Sequence, residues 1–221
     1  MTPHLSTTDG IEAWYFAAPR FALALGSTYS IDPQLTLELG GPYIHASRRA
    51  IDALRFVSGP IVSRVVIWGD VQEGDDQLCG RYCKVLACAD VTHELQQFAC
   101  WCIRNTPIGG GRVVWDLLTQ ERSRDAVKTK ERLLTCGASD DEVKAARNAA
   151  QAVVTECERK IDKDAAQAAW VTAWPWWSAA ESAAEVARIT SEIAEQEGLN
   201  VEHMHNDELE RLLKVALCIK G

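Results

Sequence analysis

The stretch YIHASRRAIDALRFVSGP, residues 43–60, gathers the side chains best suited to chemistry. His45 and Ser47 stand two apart, beside Arg48 and Arg49, with Arg55 a little further on. A histidine can take a proton from a serine hydroxyl, and arginines match phosphate oxygens in a fixed fork. A serine hydrolase also needs a third group to orient the histidine and an oxyanion hole, and no G-x-S-x-G elbow occurs in the chain. The stretch is therefore read as a candidate ligand-binding corner made of His45, Ser47, Arg48 and Arg55, with no catalytic residue assigned. A histidine closing a strand as a structural joint is the simpler alternative.

Other groupings carry weaker signals. Three glycines at 109–111 precede a helical pattern, an arrangement that can hold an anion, but no G-x-x-x-x-G-K-[ST] is present and no strand precedes them. Asp70, Glu73, Asp75 and Asp76 fall in one loop without calcium-loop spacing. His203 and His205 flank Met204; they diverge on a helix and share a face on a strand, with no third ligand nearby. The eight cysteines include no C-x2-C pair, which argues against zinc and for small buried apolar side chains; no metal is expected. Trp174, Trp176 and Trp177 surround a proline and serve either as core or as a recognition surface.

Those residues must be positioned by elements that the pattern announces. Residues 13–18 (AWYFAA), 35–39 (LTLEL), 61–69 (IVSRVVIWG) and 82–89 (YCKVLACA) read as strands, with 43–46 a further short one. Ser47 is placed as N-cap of a helix over 48–56, ended by Ser58, Gly59 and Pro60. A helix follows from Asp90 or Thr92 to Asn105, then a loop, then one long helix over 112–136 ended by Gly137. Ser139 and Glu142 form a capping box for a helix expected to run to Ala173; helices over 176–197 and 206–220 complete the chain. Alanine is dense from 145 to 187, which favours helix and close helix packing. The expected class is α+β: a small mixed sheet module over 1–90, then an alanine- and tryptophan-rich helical bundle over 91–221.

Composition narrows the function. With 221 residues and 47% hydrophobic content the chain can bury a real core. A net charge of −8 argues against a general nucleic-acid binder, which needs a basic surface to release counterions. The opening residues lack a signal-peptide pattern and no apolar run is long enough to span a bilayer, so a soluble intracellular protein with no membrane partner is expected.

The segment 43–77 resembles a family of phage and prophage proteins that carry a Gly-(Leu/Phe)-His-Ala-(Ser/Cys) motif, an Asp-Ala-Leu helix, a Gly-Pro turn, an Arg-Val strand and an acidic loop. His45, Ala46, Ser47, Asp52, Ala53, Leu54, Gly59, Arg64, Val65, Gly69 and Asp76 match those positions, while Tyr43 and Ile44 depart from the motif's Gly-Leu. The tail's alanine and tryptophan content is similar too, as is VVWDLLTQERSRDAVKTKERL to a segment of alanine-rich helical proteins. The resemblance implies an accessory protein in the host cell cytoplasm, non-catalytic, that binds a host protein or small ligand, as in countering host defence; the bundle leaves a homodimer open. A more distant likeness, strand, His-x-Ser, short helix, Gly, strand, is to ADP-ribosyltransferase-like folds. It implies the alternative: an NAD-binding enzyme, active or degenerate, with His45 and Ser47 toward nicotinamide and Arg48 or Arg55 toward a phosphate. NAD is a cofactor only under that alternative.

Overall fold

A computed structural model describes residues 10–41, 43–135, 137–173 and 179–219. The tryptophans proposed as an interaction surface, Trp174, Trp176 and Trp177, lie outside the described residues. The chain divides into two compact units, one of Met1–Val91 with Leu213–Gly221 and one of Thr92–Leu212. The class is α+β, with a four-stranded sheet at the N-terminus followed by a helical part.

In the first unit, β1 (Ile11–Ala17), β2 (Thr28–Ser30), β3 (Ile61–Trp68) and β6 (Tyr82–Asp90) form a sheet in the order β1-β3-β6-β2. Every pairing is antiparallel, so the sheet is antiparallel rather than mixed. A second ladder pairs β4 (Gln72–Glu73) with β5 (Leu78–Cys79). The two are joined at the HAS triplet. Trp14 and Ser47 exchange both backbone hydrogen bonds, at 2.7 and 2.9 Å, and Ala46 exchanges both with Leu78, at 2.9 and 2.8 Å. Because β5 runs through Gly80 and Arg81 into β6, the pairing returns to its start: β3 to β1, to residues 46 and 47, to β5 and β6, and back to β3. Ala13, Ala46, Val65, Ile67, Leu78, Cys83 and Val85, drawn from each part of this circuit, form one buried cluster.

Two glycines make the circuit possible. A Cβ at Gly80 would stand 2.7 Å from the Ile67 Cγ2 and 3.0 Å from the Trp68 carbonyl oxygen. A Cβ at Gly59 would stand 2.5 Å from the Ala18 Cα, where the Gly-Pro turn passes the end of β1. The same turn accepts a hydrogen bond from the end of β1: the Ala18 N–H reaches the Ser58 hydroxyl at 3.2 Å.

The structure corrects several expectations here. Residues 35–39 are not a strand; the Arg81 guanidinium holds the Leu35 and Asp32 carbonyl oxygens and thereby fixes a turning loop. Ser47 is not an N-cap. Its N–H and C=O are both committed to Trp14, which keeps it extended, and the helix α1 (Ala50–Arg55) starts two residues later with Arg49 at the N-cap.

The second unit holds α2 (Thr92–Asn105), α3 (Val114–Leu117), α4 (Glu121–Leu134), α5 (Asp140–Glu156), α6 (Lys160–Thr172), α7 (Ala179–Gln196) and most of α8 (Glu202–Ala216). α2 starts where expected, and the Ser139–Glu142 capping box opens α5. The long helix over 112–136 is instead broken into α3 and α4, because the Asp116 carboxylate accepts the Val113 N–H and α3 closes after a single turn. The helix expected to reach Ala173 is likewise broken at Cys157. α6 packs on α7, α5, α4, α2 and α3. Ala165, Ala166, Ala168 and Ala169 are all buried, so α6 presents little side-chain bulk and neighbours approach it closely.

Candidate functional site

The backbone circuit places His45 immediately before its joint. The ring is held at both nitrogens. Gly40 donates its N–H to Nε2 at 3.0 Å, so that nitrogen carries the lone pair. Nδ1 then bears the proton and donates it to the Tyr43 carbonyl oxygen at 3.1 Å. His45 thus cross-ties residues 40–45, and its ring stacks with Tyr43, centroids 6.2 Å apart. The Tyr43 hydroxyl donates to the Thr36 carbonyl oxygen, extending the tie to the loop before it.

A cleft of about 270 Å³ opens beside this tie. Its walls come from β1 (Trp14, Tyr15, Phe16), from Tyr43, His45 and Ser47, and from α1 and its exit (Ala53, Phe56, Ser58). Burial raises the Tyr15 phenol above its ordinary value, and Cys83 adds to the effect, so Tyr15 stays a neutral O–H donor. Trp14 is 1% exposed and its indole N–H has no acceptor among the described residues. That nitrogen is also closed off from solvent, so the ring carbons of Trp14, and not its N–H, form this part of the wall.

The four residues singled out by sequence therefore separate. His45 and Ser47 line one cleft. Arg48 is not among the residues that line it: its Nε and Nη2 hold both oxygens of Glu73, at 2.5 and 2.9 Å. Arg55 is not among them either, and sits 3.6 Å from Asp52, which Arg49 also approaches at 3.4 Å. The acidic loop is thus drawn to arginines, Glu73 to Arg48 and Asp70 to Arg81 at 3.1 Å. Sequence reasoning missed Trp14 and Tyr43, whose only signal is an aromatic ring near a motif.

The second unit brings together residues that are remote in sequence. His205 Nε2 lies 2.7 Å from the Thr106 hydroxyl and Nδ1 lies 3.2 Å from the Ser191 hydroxyl. Phe98 and Trp101 meet the ring edge-on, each centroid 6.2 Å away. Burial pushes the His205 pKa down to about 4, with Glu202 opposing. The ring is 1% exposed, so this is an internal tie and not a reaction centre. Arg104 stacks on Trp115 at 3.4 Å from the ring centroid and grips Glu131 through two hydrogen bonds. Among the described residues the cysteines other than Cys136 are free thiols, and burial raises Cys83 and Cys100 to about 12. No helix among the described residues is long and apolar enough to cross a membrane, and no group of three or more metal-binding side chains occurs among them.

No protein-family model, no curated protein and no solved structure matches this chain.

Proposed function

We propose that this chain is a non-catalytic binding protein that holds a small polar molecule in the cleft between Tyr43, His45 and β1, and that its setting is the one the motif resemblance implies, a phage or prophage accessory protein acting in the host cell against host defence. The carrying observation is the state of His45. Both ring nitrogens are bonded to backbone groups of its own loop, at 3.0 and 3.1 Å, which suits a residue that shapes a wall and not one that moves a proton. The Ser58 hydroxyl and the Gln77 carboxamide among the lining residues give the occupant its chemistry: a ring or chain bearing a carbonyl or carboxamide oxygen.

The ADP-ribosyltransferase-like reading draws support from one observation, that His45 and Ser47 do share a cleft with aromatic walls. A single experiment separates the two. The full chain is mixed with nicotinamide, with NAD and with ADP-ribose, while the Trp14 indole N–H and the Gly40 amide are followed by NMR and free nicotinamide by chromatography. Shifts at Trp14 and Gly40 with NAD left intact support binding without turnover. Release of nicotinamide from NAD overturns the non-catalytic reading. Unmoved Trp14 and Gly40 signals with all three compounds overturn the cleft as the site for this ligand class.

A further inference from the structure

Tyr43 lines a second cavity as well, of about 380 Å³, a size typical of small-molecule sites. Tyr29, Ile31, Leu35, Tyr43, Ile44 and Cys83 supply its walls, with Arg81 and Asp32 the charged residues beside them. Several of the polar groups here already have partners. The Tyr29 hydroxyl oxygen accepts the Ala24 N–H at 2.8 Å, and the Tyr43 hydroxyl donates to the Thr36 carbonyl oxygen. Arg81 directs Nη1 to the carbonyl oxygens of Asp32 and Leu35, at 3.0 and 2.7 Å, and Nε to Asp70 at 3.1 Å. The Asp32 carboxylate accepts the Gln34 N–H at 2.9 Å. An occupant that drew on Arg81 Nη1 would displace bonds that hold the loop over 32–36 in place. An apolar one would leave them intact and would cover the aromatic and aliphatic side chains that make up most of the lining. Leu35, 51% exposed, is an apolar side chain left at the surface of this wall.

We propose that this cavity is a second ligand site, sharing its Tyr43 wall with the His45 cleft, and that it takes a flat, neutral aromatic small molecule against Tyr29 and Tyr43. The ligand class follows from walls that are mostly aromatic and aliphatic, and from an Arg81 whose Nη1 and Nε are committed to the adjoining loops. Specificity comes from ring-face contact and from the cost of bringing any charge into an apolar wall.

The test uses two fluorescent probes on the full chain: N-phenyl-1-naphthylamine, which is neutral, and 8-anilino-1-naphthalenesulfonate, which adds a negative charge to a similar skeleton. Saturable fluorescence enhancement by the neutral probe is expected, with affinity at least about tenfold above that of the anionic one. Leu35→Glu, at a half-exposed position that leaves the core intact, lowers affinity for the neutral probe about tenfold or more. Ser30→Trp, also at an exposed lining position, fills the space and does the same. Phe56→Ser, at an exposed position that lines the cleft and not this cavity, leaves affinity within about twofold, so the two sites are told apart. Near-ultraviolet circular dichroism confirms that each variant is folded. Tighter binding of the anionic probe overturns the assignment in favour of an Arg81-centred anion site. Absence of saturable binding by wild type, or equal binding by both lining variants, overturns the site itself.

Discussion

The two units hold themselves together by different means. In the N-terminal unit, segments far apart in sequence are locked by backbone hydrogen bonds: Trp14 to Ser47, Ala46 to Leu78, β1 to β3 and β3 to β6. The cluster inside that circuit is light, with Ala13, Ala46 and Cys83 among its members. In the helical unit each backbone satisfies itself locally, and cohesion between helices falls to side chains: Phe98, Leu95, Ile103, Ile193 and Leu209 are all fully buried there. A circuit of backbone bonds tolerates clefts between its loops, because the loops are tied at points and not over whole faces. In the bundle, the pocket beside Leu118, Ser123, Val153 and Cys157 shrinks to about 10 Å³, against about 380 and 270 Å³ for the two cavities of the sheet unit.

The largest test of that contrast is Phe98→Ala. The ring is completely buried, stacks 6.3 Å from Trp101 and meets His205 edge-on. Its loss should destabilise the helical unit by about 3–5 kcal/mol in urea unfolding, since the surrounding helices relax only partly into the hole. A cost below about 1 kcal/mol would show that the bundle is not cored by packed side chains, and the comparison would collapse.

Next in size is pH. His205 is neutral in the folded state, with its pKa lowered from 6.5 to about 4 by burial. Above pH 6.5 it is neutral in both folded and unfolded chains and makes no difference to stability. Below that the unfolded chain takes up a proton that the folded one refuses, so stability falls with pH, by about 3 kcal/mol in all when pH 4 is reached. Carboxylates titrate over part of the same range, so the quantity to measure is the difference between wild type and His205→Gln. Wild type should lose about 3 kcal/mol more than the variant between pH 7 and pH 4. Equal losses would mean that the tie to Thr106 and Ser191 admits the proton after all.

A third test strikes the backbone circuit. Gly59→Ala places a methyl 2.5 Å from the Ala18 Cα and 2.8 Å from the Ala17 carbonyl oxygen, both backbone atoms that cannot swing aside. The expected loss is about 2–3 kcal/mol, with hydrogen-exchange protection falling first at Ala18 and along β1. A neutral Gly59→Ala would show that the Gly-Pro turn is not pressed against the end of β1 and that this corner of the circuit is loose.

These residues also show what could be read before the fold was known. β1, β3 and β6 are long enough to declare themselves by β-branched and aromatic content, and α5 by its capping box. The joint at Ala46 and Ser47 could not be read, because a pairing of one residue on each side has no periodicity; it exists only where Trp14 and Leu78 arrive from elsewhere in the chain. The breaks at Leu118 and Cys157 were hidden for a related reason, since neither site carries the glycine or proline that marks a helix end. At 35–39 alternation suggested a strand, but Arg81 claims the carbonyl oxygens that a strand would offer to a neighbour. As for the candidate site, the motif drew notice to His45 and Ser47, which do line the cleft, and over-counted the arginines, whose carboxylate partners lie up to 25 residues away.

The smallest effect sharpens the comparison most. Arg48 and Glu73 form a bidentate pair that spans the same gap as the Ala46–Leu78 backbone bridge, joining the segment after His45 to the acidic loop. If the circuit is held by its backbone, the ion pair is an accessory. Both side chains are about half exposed, at 54% and 41%, and water screens most of their attraction. A double-mutant cycle with Arg48→Met and Glu73→Leu should give a coupling of about 0.5 kcal/mol at low salt, fading in molar sodium chloride. A coupling above about 2 kcal/mol that survives salt would place the strength of this joint in side chains, as in the helical unit, and would remove the distinction drawn between the two.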